Sequence, residues 1–298
     1  MTTRRSFIQQ SSLLALAATL PFSASKRYKM GYSAITWSGK DEQAIIDIAD
    51  LGFKGIQLRA NAYPVYKDNP AVLKEKIDAA KLNLVMFSSG NVEIDPAKEA
   101  ATIEQHVNHA KFVKALGGTS IQLTNSLRKK GEAPTEAQLI RLAEVMNMIG
   151  KRTKEIGIQT TYHNHMNQFG ETPEEVDTLV KHMNPAYARL LLDVAHYFQG
   201  GGNPAEAVLK YKDVIHSFHI KDVESPIKGQ ESNPSAYKFV ELGQGKVNLE
   251  EVFKNMEKIK FSGWAIVELD SVPDKSRSPK ECGQISKTFL SSKVGYTF

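Results

Sequence analysis

The sequence predicts a single (β/α)8 barrel, and three observations carry that expectation. Short apolar runs alternate with amphipathic helical stretches from Met30 to the C-terminus. Eight such strand–helix pairs can be counted, which is the number that closes a parallel barrel. Several of the runs end at once in a group able to bind metal or move protons, as expected where the carboxyl ends of the strands converge on one face. A doubly wound sheet would usually stop at five or six strands. Gly200-Gly201-Gly202 follows the sixth strand and lacks the spacing of a phosphate-binding glycine fingerprint.

Met30–Thr36 reads as the first strand, ending at Trp37, and Lys54–Leu58 as the second, with Gln57 and Arg59 at its tip. Asn83–Phe87 is the third and Thr119–Leu123 the fourth, with Gln122 near its end. Thr135 is placed to cap the helix that follows and Gly157 to stop it. Gln159–Tyr162 is the fifth strand, closed by His163-Asn164-His165. The sixth and seventh are the apolar runs Arg189–Leu192 and Val214–Phe218, followed by Asp193 and His219. The polar stretch from Asp222 to Gly245 is expected to lie as a loop over the active face. Trp264–Leu269 is the eighth strand and carries Glu268.

Composition sets bounds. The chain has 298 residues, 41% hydrophobic and 24% charged, enough for one large core. Its net charge of +5 falls to +3 without Arg4 and Arg5, too weak a bias to point to nucleic acid. A single cysteine, Cys282, excludes an internal disulfide. Residues 1–25 are different material. Thr3-Arg4-Arg5-Ser6-Phe7-Ile8 precedes an apolar Ser11–Leu20 segment and the small-residue end Ser23-Ala24-Ser25. This resembles a twin-arginine export signal and implies a periplasmic mature protein, the barrel beginning at about residue 28. The apolar run is too short to span a bilayer, and no membrane association is expected of the mature chain.

Four consecutive strand tips offer ligands: His163 or His165, then Asp193, His219 and Glu268. Mixed nitrogen and carboxylate donors suit one divalent ion among Mn, Co, Fe, Zn or Mg rather than Ca. The bland reading of a lone histidine after a strand is a satisfied structural residue, but four tips in a row outweigh it. Trp37 has two readings, core packing or a platform for a sugar face. Arg59 also has two, substrate contact or a surface ion pair. Lys221-Asp222 reads either as an ion pair or, through Lys221, as an electrostatic helper. His106, His109, His182 and His216 are expected to be structural or surface residues.

The sequence resembles the sugar phosphate isomerase/epimerase group, the xylose-isomerase-like TIM barrels, from about Met30 onward. The resemblance rests on Gly55-Ile56-Gln57-Leu58-Arg59, Tyr162-His163-Asn164-His165, Leu192-Asp193-Val194-Ala195-His196, His219-Ile220-Lys221-Asp222 and Val267-Glu268-Leu269-Asp270. It implies a metal held by His163, Asp193, His219 and Glu268. It implies catalysis by His165, His196, Glu268 and Lys221, and substrate contacts from Trp37, Gln57, Arg59 and Gln122. Many relatives have a glutamate where this chain has His163, which weakens a symmetric two-glutamate epimerase. The expectation is therefore a sugar isomerase or epimerase, removing a proton beside a carbonyl through a metal-bound enediolate. The alternative is a lyase or dehydratase acting on a keto-sugar or 3-keto-glycoside. Further alternatives are a non-catalytic periplasmic sugar-binding protein and, disfavoured by charge and address, an endonuclease-like phosphodiesterase. The expected partner is a small sugar or keto-sugar, and a homo-oligomer is left open.

Overall fold

The computed structural model describes residues 26–129, 131–224 and 237–298. The export-signal expectation falls on residues 1–25 and so lies outside the described residues. Eight parallel strands close on themselves: β1 (Lys29–Ser33), β2 (Gly55–Arg59), β3 (Asn83–Asn91), β4 (Ser120–Thr124), β5 (Gln159–His163), β6 (Ala188–Asp193), β7 (Ile215–Ile220) and β8 (Trp264–Val267). Each pairs in parallel with its neighbours in chain order, and β8 returns to β1 through Lys29↔Trp264 and three further pairs. The structure is thus the single (β/α)8 barrel that the alternation of elements predicts. Among the described residues, no helix is long and apolar enough to cross a membrane.

Helix boundaries follow local chemistry. The helix Glu136–Glu155 opens on a capping box between Thr135 and Gln138, and Pro173–His182 opens with Thr172 accepting from the Glu175 amide. The first strand is shorter than its apolar run. The chain leaves β1 at Ser33 and turns through a 3-10 helix, Ala34–Trp37. That turn carries Trp37 away from the strand tip.

Side chains two apart on a strand share a face, so the barrel interior is layered. Thr161, Leu191, Ser217 and Ile266 lie two residues before His163, Asp193, His219 and Glu268 and are all buried. Leu191 and Ile266 join Val85 and Met86 in an apolar cluster below the site. Gly55 stands two residues before Gln57, and a Cβ there would come within 2.8 Å of the Trp264 ring and 2.9 Å of Val85. Only glycine lets β2 approach this plug.

On β3 the register against β4 shifts between Ser88 and Gly90, the signature of a bulge. The buried Ser89 Oγ lies 2.6 Å from Nδ1 of His106 and 2.9 Å from Nδ1 of His109, both on the helix Glu99–Ala115. His106 Nε2 reaches the Asn91 carbonyl at 3.2 Å. One proton assignment satisfies every contact: His106 Nε2–H donates to Asn91, Ser89 Oγ–H donates to His106, and His109 Nδ1–H donates to Ser89. Both histidines are therefore structural, and they pin the bulge from behind.

Candidate active site

The interior layer at the carboxyl ends of β5 to β8 carries His163, Asp193, His219 and Glu268. Their ligand atoms all lie within 4.8 Å of one another, and all four residues are buried. His163 Nε2 is 3.2 Å from Asp193 Oδ2 and 3.1 Å from His219 Nδ1. His219 Nδ1 in turn is 3.3 Å from Glu268 Oε1 and 3.6 Å from Asp193 Oδ2. Such separations are those of donors placed about 2.0–2.2 Å from a shared ion, and two imidazoles with two carboxylates form a donor set suited to a divalent transition metal. The residues present fit the ion. His163, rather than His165, belongs to the set.

Backbone and side chains hold this layer. Asp193 ends β6 and starts the helix Val194–Gln199, where its Oδ1 accepts from the amides of Ala195 and His196 at 2.9 and 2.8 Å. That leaves Oδ2 for the cluster. Asn164 fastens the tips of β5 and β6, donating to the Asp193 carbonyl and accepting from the Asp193 amide.

Lys221, fully buried, places Nζ 2.7 Å from Asp270 Oδ1, 3.4 Å from Glu268 Oε1 and 3.3 Å from His196 Nε2. Burial alone would lower its pKa, but Asp270, Glu268 and Asp193 together hold it above the ordinary lysine value. Burial would likewise raise Asp193 and Glu268. Asp193 is held well below the usual carboxylate range by His196, Lys221 and hydrogen bonds from His163 and His219, and Glu268 by His219 and Lys221. His219 would be lowered by burial, but Glu268 and Asp193 push it up to about 9. Burial, aided by the nearby His219 charge, lowers His163 to about 4. Without a metal, a proton on His219 thus sits among the carboxylates, at the place a cation would take.

His165 and His196 lie one above the other, ring centroids 3.7 Å apart. His165 Nδ1 is 2.5 Å from the Met166 carbonyl and must be its donor, which leaves Nε2 as the nitrogen with a lone pair. Burial, together with the Lys221 charge, lowers its pKa, so the ring is neutral near pH 7. His196 accepts from Lys221 at Nε2 and bonds Gln199 Oε1 through Nδ1 at 3.0 Å. It positions Lys221 rather than facing the open cavity.

That cavity, about 470 Å³, is lined by Gln57, Gln122, His163, His165 and Glu268 at its floor and by Arg59, Asn61, Asn91 and Thr124 from the earlier strands. Arg59 is exposed and lines it without a carboxylate within salt-bridge distance among the described residues. Trp37 does not line it. Its Nε1–H donates to Asp47 at 2.8 Å and its ring packs edge-on against Tyr32, so the sugar-platform expectation is corrected to core packing. Gln57 and Gln122 do face the cavity, but both ends of Gln57 are already bonded within the protein.

The stretch after Lys221 also differs from a simple loop. Asp222–Val223 pairs antiparallel with Phe239–Val240. The Asp222 carboxylate, far from pairing with Lys221, accepts from the amides of Gly243, Gly245 and Val247. The ribbon brings the Phe239 ring 4.1 Å from Lys221 Nζ and edge-on to His196. Phe239 was not foreseen from the sequence, because an isolated aromatic in a polar stretch carries no positional signal.

The constellation is that of an enzyme active site, and comparison with known proteins agrees. Inosose dehydratase 1 of Bacillus cereus is 28% identical over 297 residues, covering 90% of this chain and 97% of its own. The crystal structure of the probable 3-DHS dehydratase AsbF of Bacillus anthracis superposes with a TM-score of 0.74 at 16% identity, over 89% of this chain and 99% of that one. A zinc-bound IOLI protein superposes at 0.73 with 17% identity, over 90% and 98%. Residues 45–285 match the profile of one family, and the chain belongs to it: the xylose isomerase-like TIM barrels.

Proposed function

We propose that this protein is a divalent-metal-dependent dehydratase acting on a cyclic keto-sugar or keto-polyol. The dehydratase branch of the sequence expectation is thereby preferred to isomerisation or epimerisation. One observation carries the choice. Of the titratable side chains lining the cavity, His163 and Glu268 belong to the ligand set, Asp270 is tied to Lys221, and Arg59 is a cation. Among the described residues that line the cavity and lie outside the ligand set, His165 alone offers an unpartnered nitrogen lone pair on a neutral ring, at Nε2. Epimerisation through two faces needs an acceptor and a donor on opposite sides. Elimination needs one group that takes a proton and then returns it to the departing hydroxyl. The likeness to inosose dehydratases over nearly the whole chain favours the same reading.

When bound, a divalent ion supplies Lewis acidity toward a substrate carbonyl and its neighbouring hydroxyl. The residues supply the rest. His165 Nε2 takes the proton beside the carbonyl, and the C–H electron pair moves toward the carbonyl oxygen. Lys221, held charged by Asp270 and shielded by Phe239, stabilises the negative charge that develops. As the C=C bond forms, the β C–O bond breaks, and the proton on His165 passes to the leaving oxygen as water. Arg59 and Asn61, which line the cavity, bind the remaining oxygens of the ring in this reading.

Zinc as the ion has support from the zinc-bound IOLI neighbour and from the two-imidazole donor set. The test is incubation of the metal-loaded protein with inososes and 3-keto-glycosides in D₂O, read by NMR and mass spectrometry. Loss of one water, abolished in His165→Ala, is expected. Deuterium uptake at constant mass would mean epimerisation or isomerisation instead, and binding without either would mean a binding protein.

A further inference from the structure

Gln57 is expected from the sequence to touch substrate, yet its side chain is spent inside the protein. It is 1% exposed. Its Oε1 lies 2.8 Å from His219 Nε2, and its Nε2 lies 3.2 Å from Glu268 Oε2 and 3.0 Å from Gln122 Oε1. An amide can be turned over, so the assignment of oxygen and nitrogen needs a reason. Glu268 gives one. A carboxylate oxygen only accepts, so the amide edge beside it must be the NH₂. The reversed orientation would set the Gln57 carbonyl against the Glu268 carboxylate, two acceptors with no hydrogen between them. With the amide fixed, the carbonyl facing His219 can only accept, and His219 Nε2 must carry hydrogen. Its Nδ1, the nitrogen that faces His163, Asp193 and Glu268, is then the one available to a metal.

We propose that Gln57 is a positioning residue through which one metal ligand sets the tautomer of another: Glu268 orients Gln57, Gln57 fixes Nε2–H on His219, and Gln122 holds the amide in place. The inference rests on the four-residue cluster binding a divalent ion. It goes beyond that reading by assigning two glutamines of β2 and β4 to the metal centre rather than to substrate. The contrast with His163 supports it. Among the described residues His163 Nδ1 is buried with no hydrogen-bond partner, and none of them holds its ring as Gln57 holds that of His219. Outer-layer partners of metal-bound histidines orient the ring and raise its basicity, and their loss typically weakens binding about 10–100-fold.

The test uses the full chain, stripped by chelator and titrated calorimetrically with Zn²⁺ alone and Mn²⁺ alone. It is paired with ¹⁵N NMR of histidine-labelled, Zn²⁺-loaded protein to read the His219 tautomer. In Gln57→Leu, affinity is expected to fall about 10–100-fold, and His219 is expected to lose its single Nε2–H signature. Gln57→Glu, protonated on the oxygen that faces Glu268, keeps both a donor to Glu268 and an acceptor opposite His219 and is expected to restore that signature, which a purely structural role would not do. Gln122→Leu, which leaves β2 untouched, is expected to weaken metal binding by a smaller factor and decides the matter if Gln57→Leu does not fold. Parent-like affinity and an unchanged tautomer in folded Gln57→Leu, or in Gln122→Leu if that stands alone, would overturn the proposal. Failure of the parent chain to bind either ion would instead overturn the metal reading beneath it.

Discussion

The Lys221 ammonium lies 2.7 Å from the Asp270 carboxylate, with the ring of Phe239 4.1 Å away. Asp193 and Glu268 stand 4.0 and 3.4 Å from the same ammonium. One buried cation thus serves three carboxylates, and removing it takes the partner from Asp270 and leaves Asp193 and Glu268 with the proton on His219 alone. Lys221→Met should destabilise the metal-free protein by about 3–5 kcal/mol, the cost of breaking a buried charge pair from one side. The loss should be smaller with metal bound, because the ion carries compensating charge. Urea unfolding with and without Zn²⁺ measures both.

Metal binding should release protons. His219 is pushed up to about 9, so at pH 7.5 the metal-free ring carries a proton that a ligand nitrogen cannot keep. Because its folded pKa lies above its unfolded value of 6.5, that proton stabilises the metal-free fold fully below pH 6.5. The contribution is lost as pH rises through 9. Calorimetry in buffers of different ionisation enthalpy should show close to one proton released at pH 7.5, falling away above pH 9. The metal-free melting temperature should decline over the same interval while the loaded protein holds steady.

His165→Ala should leave metal content unchanged, since the ring is outside the ligand set, and should lower kcat by about 10²–10⁴, the usual span for a general base. Metal analysis of the purified variant beside its turnover rate checks this. A variant that loses its metal would place His165 among the ligands.

Behind the bulge of β3, burial lowers His106 to about 4, with the neighbouring His109 adding to the effect. A folded pKa below the unfolded value of 6.5 means that stability is intact above pH 6.5 and drains away as pH falls toward 4. Ser89→Ala removes the hydroxyl shared by the two rings and should cost about 1–3 kcal/mol through the His106 nitrogen it leaves unpartnered, His109 keeping the Ser89 carbonyl. Denaturation curves at pH 7 and pH 5 separate the two effects.

The barrel is legible in the sequence because each strand is a short apolar run closed by a helix signal, and those patterns are local. The ligands are legible for the same reason: Asp193 and His219 follow their runs directly, and Glu268 stands near the end of the run Trp264–Leu269. Gln57 is visible as a strand-tip residue but not as a partner of His219 and Glu268, which lie 162 and 211 positions away and meet it only when the barrel closes. Trp37 misleads because its apolar run continues past the point where the backbone turns into a 3-10 helix. Phe239 is hidden because the ribbon that delivers it depends on Asp222 gathering three distant amides.

Asp193 has one oxygen on the first turn of a helix and the other in the metal cluster. A lineage drifting away from catalysis would therefore not be free to discard it. Loss of the carboxylate would uncap Val194–Gln199 along with emptying the centre, so selection for a folded barrel alone would keep an aspartate, or an asparagine that preserves the capping oxygen. Presence of this residue in a relative would then be poor evidence of activity. His219, which has no such second duty to the backbone, would be the more telling position to inspect.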